Sequence, residues 1–422
     1  MVSVTSSTFD SDLLAVRIVP SANPAFHSLP KHIGFLVDTS GSMSEHNRLV
    51  SVQRTLALLI QAKPAPYRMT LVSFAATATL VSDAVADADT LQTAVASLAA
   101  IGGTNLEAGV LMLREADRRN PMDAVVLLTD GDVTAGSVMT TAGLMALVKS
   151  SFPRKIPIHT IGYGEGYNRA LLTAIAKVTR SLHMYADAAE ALPAVAGDIL
   201  AGVQSEVGTE ATLLLPPSYR CLEGNEEGEY TIGTLIADKE QWIVLRKTDV
   251  SDTRPLLLRY KASDGEDVTH AIPLGTDLRR VDMAAQRDRV LSTQTMTRIY
   301  DEIEARRHGE ALTLCRDFLK TLEASEATDE SLVVSLKAQF VELVEQLTPV
   351  IPEGLPPGVA PPPPRLFAMG NLLSRLASNT VALTTQRGFV SRMASGGTDT
   401  HTFSSPSQQV AQRSMTQSYT DP

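Results

Sequence analysis

Apolar residues recur with two different periods along this chain. Between residue 31 and about residue 206, short β-branched runs alternate with longer segments whose apolar positions fall at i, i+3 and i+4. The runs from His32 to Val37 (HIGFLV), Arg68 to Phe74 (RMTLVSF), Ala124 to Thr129 (AVVLLT) and Ile156 to Ile161 (IPIHTI) predict strands. Three of them are almost continuously apolar, as strands covered on both faces are. Segments 49–62, 91–98, 106–118, 138–150 and 169–178 carry the helical period. Strand and helix in alternation predict an α/β fold, a doubly wound, mostly parallel sheet with helices on both faces. Ligands of such a sheet bind beyond the carboxyl ends of its strands.

From residue 207 to about 278 the pattern changes to short alternating runs: Ala211 to Leu215, Tyr230 to Ile236, Gln241 to Arg246, Leu256 to Lys261 and Val268 to Ile272. These predict a small antiparallel β-sandwich module. Leu13 to Val19 (LLAVRIV), within residues 1–30, alternates in the same way and has no local partner, so it is assigned to that module. The α/β domain, residues 31–206, is then an insertion in the β-module. Residues 279–349 return to helical period as two or three helices, with Asp329 as an expected N-cap. Residues 350–365 contain four consecutive prolines and read as an extended linker, with docking to a proline-reading domain as the alternative. The low-complexity tail, 366–422, reads as disordered after one short helix at 366–376.

Composition narrows the function. At 422 residues each domain has room for its own core without disulfides or structural metals. The two cysteines, Cys221 and Cys315, lack zinc-site spacing and fit a reducing compartment. No leader pattern opens the chain and no run of about 18 apolar residues crosses it, so a cytoplasmic protein without membrane contact is expected. A net charge of −10 with scattered Lys and Arg gives no footprint for nucleic acid, so proteins are the expected partners.

The candidate chemistry lies in FLVDTSGSMSEHNR, residues 35–48. Asp38, Ser40 and Ser42 form D-x-S-x-S where the first α/β strand ends. A bend there, with Gly41 supplying unusual backbone angles, lets alternate side chains converge. A carboxylate and two hydroxyls are hard donors suited to Mg²⁺. One carboxylate holds such an ion weakly. Asp130, at the end of the apolar run LLTDG, supplies a second from the same sheet edge, and Thr104 in GGTN adds a hydroxyl. The site is expected to face solvent. Taken alone, D-x-S-x-S also fits a helix cap and T-D-G an ordinary turn. No general base, nucleophile or phosphate cradle accompanies the set: His46 reads as a solvated residue, and Gly162 to Gly166 lacks the Lys-Ser/Thr of a phosphate loop.

In this order and at these strand ends, Asp38, Ser40, Ser42, Thr104 and Asp130 resemble the metal-ion-dependent adhesion site of a von Willebrand factor type A domain over residues 31–206. The resemblance implies Mg²⁺ or Mn²⁺ with an open position that a partner's Glu or Asp fills. It also implies no catalytic residues and a C-terminal helix at Glu190 to Gln204. The whole arrangement is more loosely similar to chains with a Vwaint-type β-module, to plant RING ubiquitin ligases of the wavy-growth group and to inter-alpha-trypsin inhibitor heavy chains. A RING needs a set of Cys and His zinc ligands, and two cysteines do not supply it. The expected function is a non-enzymatic, Mg²⁺-dependent binding or scaffold module, with homo- or hetero-oligomerisation left open. The alternatives are a structural component of a larger assembly or particle, its basic tail (five Arg against two Asp after residue 364) serving as an arm, and a metal-dependent hydrolase.

Overall fold

The computed structural model describes residues 2–21, 30–130, 133–152, 156–163, 168–179, 181, 183–186, 192–224, 228–275, 278–348, 389–391 and 400–402. It opens with an antiparallel hairpin, β1 (Val2–Phe9) and β2 (Leu13–Pro20). A six-stranded sheet follows, built from β3 (His32–Asp38), β4 (Arg68–Phe74), β5 (Ala78–Val85), β6 (Ala124–Thr129), β7 (Ile158–Tyr163) and β8 (His183–Ala186). Its order is β5-β4-β3-β6-β7-β8, and every pairing is parallel except β4 with β5. Helices α1 (Arg48–Ala62), α2 (Ala88–Ala96) and α6 (Leu192–Gln204) bury their apolar stripes against one face. Helices α3 (Leu106–Arg119), α4 (Thr141–Ser151) and α5 (Arg169–Val178) cover the other. This double cover is why β3 and β6 are apolar at nearly every position, and all their residues are buried.

The chain then forms β9 (Glu206–Leu214), β10 (Tyr219–Cys221), β11 (Glu229–Ile236), β12 (Gln241–Lys247), β13 (Leu256–Ala262) and β14 (Asp267–Ile272). Two four-stranded sheets result, β1-β2-β12-β10 and β11-β9-β13-β14, whose inner faces share one core. The strand assigned from Leu13–Val19 lies in the middle of the first sheet, where Leu14 opposes Leu245 and Val16 opposes Ile243. The outer face of that sheet is covered by α7 (Arg280–Glu304), with Met283 and Val290 packed on Phe9, Ala15 and Trp242. Helices α8 (His308–Glu323) and α9 (Ser331–Leu347) close a second apolar core with α7. Helix α9 begins after Glu330 and has no side-chain cap, so Asp329 does not play the expected part.

The chain crosses between the two β-rich bodies twice, ahead of β3 and between α6 and β9, and the two crossings meet. Lys31, just before β3, donates to Glu206, the first residue of β9, at 2.6 Å, and both side chains are covered. Neither cysteine is in a disulfide and both are buried, and burial pushes the Cys315 thiol up to about 12. Phe389–Ser391 and Thr400–Thr402 pair as a short antiparallel ribbon. The glycine-rich turn at 164–166, the Pro-rich 350–365 and the helix expected at 366–376 lie outside the described residues. Among the described residues no helix is long and apolar enough to cross a membrane.

Candidate metal centre

Strand register assembles the site. In the parallel pair β3/β6, Val37 stands level with Leu128, so Asp38 and Thr129 leave the sheet side by side. The Thr129 hydroxyl donates to Asp38 Oδ2 at 2.5 Å, and the Ser40 N–H donates to Asp38 Oδ1 at 2.8 Å. Both oxygens of the first carboxylate are thereby fixed. The row continues from Ser40 Oγ to Ser42 Oγ at 3.1 Å, and Ser42 Oγ donates to Asp130 Oδ1 at 2.9 Å. Four of the five residues singled out in the sequence thus form one hydrogen-bonded cluster.

Thr104 reaches the cluster through its loop. The N–H of Gly41 donates to the Gly102 carbonyl at 2.9 Å, and that of Ile101 donates to the Thr39 carbonyl at 2.8 Å. These bonds hold the 101–104 turn against the 39–41 bend, and Thr104 is buried there while its hydroxyl takes no part in the row. Gly41 is needed for a reason other than the expected one. Its φ is not positive; instead a Cβ there would sit 3.3 Å from the Gly102 carbonyl oxygen, so the glycine permits close backbone approach. The left-handed residues are His46 and Asn47, at φ 50° and 57°, which join a short 3₁₀ segment, Gly41–Asn47, to α1. His46 is exposed.

The site is also less open than expected: Asp38 is 0% and Asp130 is 2% exposed. Burial pushes the Asp38 carboxyl above its ordinary range, opposed by the hydrogen bonds from Thr129 and Ser40 and reinforced by the charge of Asp130. Among the described residues, the cation at this site pairs with Asp130. Arg48, the first residue of α1, donates from Nη1 to Asp130 Oδ2 at 2.6 Å, with its side chain only 14% exposed.

The donor chemistry fits a hard divalent cation. Two covered carboxylates and two or three neutral hydroxyl oxygens match what Mg²⁺ prefers and offer nothing to a thiolate-loving metal. Among the described residues no three His, Cys, Asp or Glu side chains gather, so the hydroxyls are essential to any such site. Neither Thr129 nor Arg48 was singled out in the sequence. The position of Thr129 next to Asp130 at a strand end was an available signal, as was a cationic residue opening a helix, against the helix dipole.

Residues 33–132 match the family model of the von Willebrand factor type A domain. The chain contains a von Willebrand factor type A domain. It is 28% identical over 182 residues to the uncharacterized protein YfbK of Escherichia coli, a match covering 42% of this chain and 32% of that one. It is 26% identical over 234 residues to inter-alpha-trypsin inhibitor heavy chain H1 of Sus scrofa, covering 50% of this chain and 26% of that one. The chain therefore spans about a third or less of the length of these relatives. Among solved structures, a von Willebrand factor type A protein from Catenulispora acidiphila shares the fold over 90% of this chain and 96% of its own, at TM-score 0.61 and 15% identity. The ArnB paralog VWA2 from Sulfolobus acidocaldarius does so over 91% and 97%, at TM-score 0.53 and 15% identity. The likeness to both structures extends well beyond the type A domain itself, into the β-sheets and helices that follow it. Type A domains are generally protein-interaction modules.

Proposed function

We propose that this protein is a non-enzymatic, Mg²⁺-dependent binding module whose type A domain captures an acidic side chain of a partner protein. Asp38, Ser40, Ser42, Thr104 and Asp130 are the residues that would hold the ion. The observation that carries this reading is the hydrogen-bonded row from Asp38 through Ser40 and Ser42 to Asp130, two covered carboxylates and two hydroxyls on the carboxyl edge of the sheet. Mg²⁺ or Mn²⁺, when bound, supplies an electrophilic position that one more carboxylate oxygen can fill. The chain's own part is pre-organisation. Thr129 and the Ser40 amide fix the Asp38 carboxylate, and the covered loops keep bulk water from competing for the hydroxyl lone pairs. The β-module and the helices behind it would orient this edge within a scaffold.

The test is a capture of proteins from lysate of the source cells by wild-type chain and by the Asp38→Ala/Ser40→Ala variant, each in Mg²⁺ and in EDTA. A partner held only by wild type in Mg²⁺, and released by excess free glutamate-containing peptide, is the expected outcome. The same partners in all four lanes would refute metal-bridged capture and favour a structural assembly role.

A further inference from the structure

We infer that Arg48 is a built-in counter-cation of the metal-free site, and that loading a divalent ion displaces its hold on Asp130. This rests on the proposed metal site and adds a residue that governs how readily the site fills.

The placement of Arg48 is costly by ordinary helix rules. It opens α1, where the exposed N–H groups of the first turn carry partial positive charge and an acidic residue is favoured; the first turn of α1 contains none. Two successive left-handed residues, His46 and Asn47, turn the chain so that the helix starts there. What offsets both costs is the contact made: a charge-assisted hydrogen bond of 2.6 Å to Asp130 Oδ2, on a carboxylate whose other partner among the described residues is the Ser42 hydroxyl. Asp130 thus has one oxygen on a proposed ligand and the other on a guanidinium. The protein neutralises its covered carboxylate without any ion.

An arginine cannot deprotonate to make room for a cation. An incoming Mg²⁺ that draws on Asp130 would therefore meet a fixed positive charge in a partly covered site, together with the positive end of α1. Arg48 then swings outward and gives up its partner, which weakens metal binding and frees a guanidinium at the rim, suited to pair with the carboxylate of a captured ligand.

The test compares Mg²⁺ affinity, by titration calorimetry on the full chain, for wild type, Arg48→Gln, Arg48→Lys and Asp130→Ala. Thermal unfolding of each is followed in EDTA and in saturating Mg²⁺. If Arg48 competes with the ion, Arg48→Gln binds Mg²⁺ tighter by about tenfold or more, the effect of removing one like charge from such a site. Arg48→Gln then melts below wild type in EDTA and gains more from Mg²⁺ than wild type does. Arg48→Lys, which keeps the charge, stays within about threefold of wild type, a difference well under 1 kcal/mol. Equal affinity for wild type and Arg48→Gln, or weaker binding by Arg48→Gln, would overturn the inference and leave the metal site standing. Mg²⁺ binding by none of the chains would overturn both.

Discussion

Replacing Leu14 by Ala, near the start of the chain, should loosen strands that lie more than 200 residues later. Leu14 is 0% exposed, opposes Leu245 in the sheet, and shares the inter-sheet core with Leu213, Tyr219, Leu235, Leu256 and Leu258. Strands wall the site on both sides, so the space left by truncation cannot collapse easily. Leu→Ala changes in such cores cost about 2–5 kcal/mol through lost burial plus the cavity left behind. With a urea dependence of roughly 1–3 kcal/mol/M, the unfolding midpoint should fall by about 1–2 M. The readout is built in. Trp242 is the only tryptophan, is buried in β12 and is therefore a fluorescence probe of this β-module. Val334→Ala, on an exposed position of α9, is the control and should stay within about 0.5 kcal/mol of wild type. A Trp242 transition equally insensitive to Leu14→Ala would refute the pairing of β2 with β12 and, with it, the insertion of the α/β body into the module.

Two further outcomes follow from buried charge. His183 is buried in β8 with its ring against the Thr160 hydroxyl at 3.0 Å, and burial, helped by Arg169 and Lys177, lowers its pKa from 6.5 to about 3. The unfolded chain then binds the extra proton between these values, so His183 makes stability rise with pH through that window and fall on acidification from about pH 6.5. The slope from this group should approach about 1.4 kcal/mol per pH unit, and chemical denaturation of His183→Gln across pH 4–7 should show that slope removed. Arg289 is 0% exposed and is ion-paired to covered Glu223, with further bonds to Gln286 and the Trp242 carbonyl. Arg289→Met should cost about 3–5 kcal/mol by stranding the Glu223 charge, whereas Arg289→Met/Glu223→Leu should recover most of that loss in thermal melts.

What could be read from the sequence depended on where each residue's constraint came from. β3 and β6 are legible because double burial forces every position to be apolar. β5, Ala78–Val85, was not, because an edge strand with mixed burial shows neither a continuous run nor clean alternation. The start of α2 was placed at Leu91, although Asp87 caps it by accepting the Thr90 N–H at 2.8 Å; the cap precedes the apolar period used to find the helix. In the site, Asp38, Ser40, Ser42 and Asp130 were legible because strand ends in a doubly wound sheet locate them. Arg48 and Thr129 carried weaker signals, a cation opening a helix and a hydroxyl next to Asp130 at a strand end; what each one touches is set by the register of β3 on β6 and by the turn at His46 and Asn47, which local spacing does not give.

The Lys31–Glu206 clasp has an architectural consequence. Lys31, just before the first strand of the α/β body, is tied to Glu206, which opens the first strand after it, so the body's two ends emerge side by side. A unit with adjacent ends can be spliced into a surface loop of another fold without stretching either one. The same adjacency means that a short bridge across the clasp could span the gap left by excising the body; the contact of Arg169 on α5 with Tyr300 and Glu304 of α7 would be lost with it.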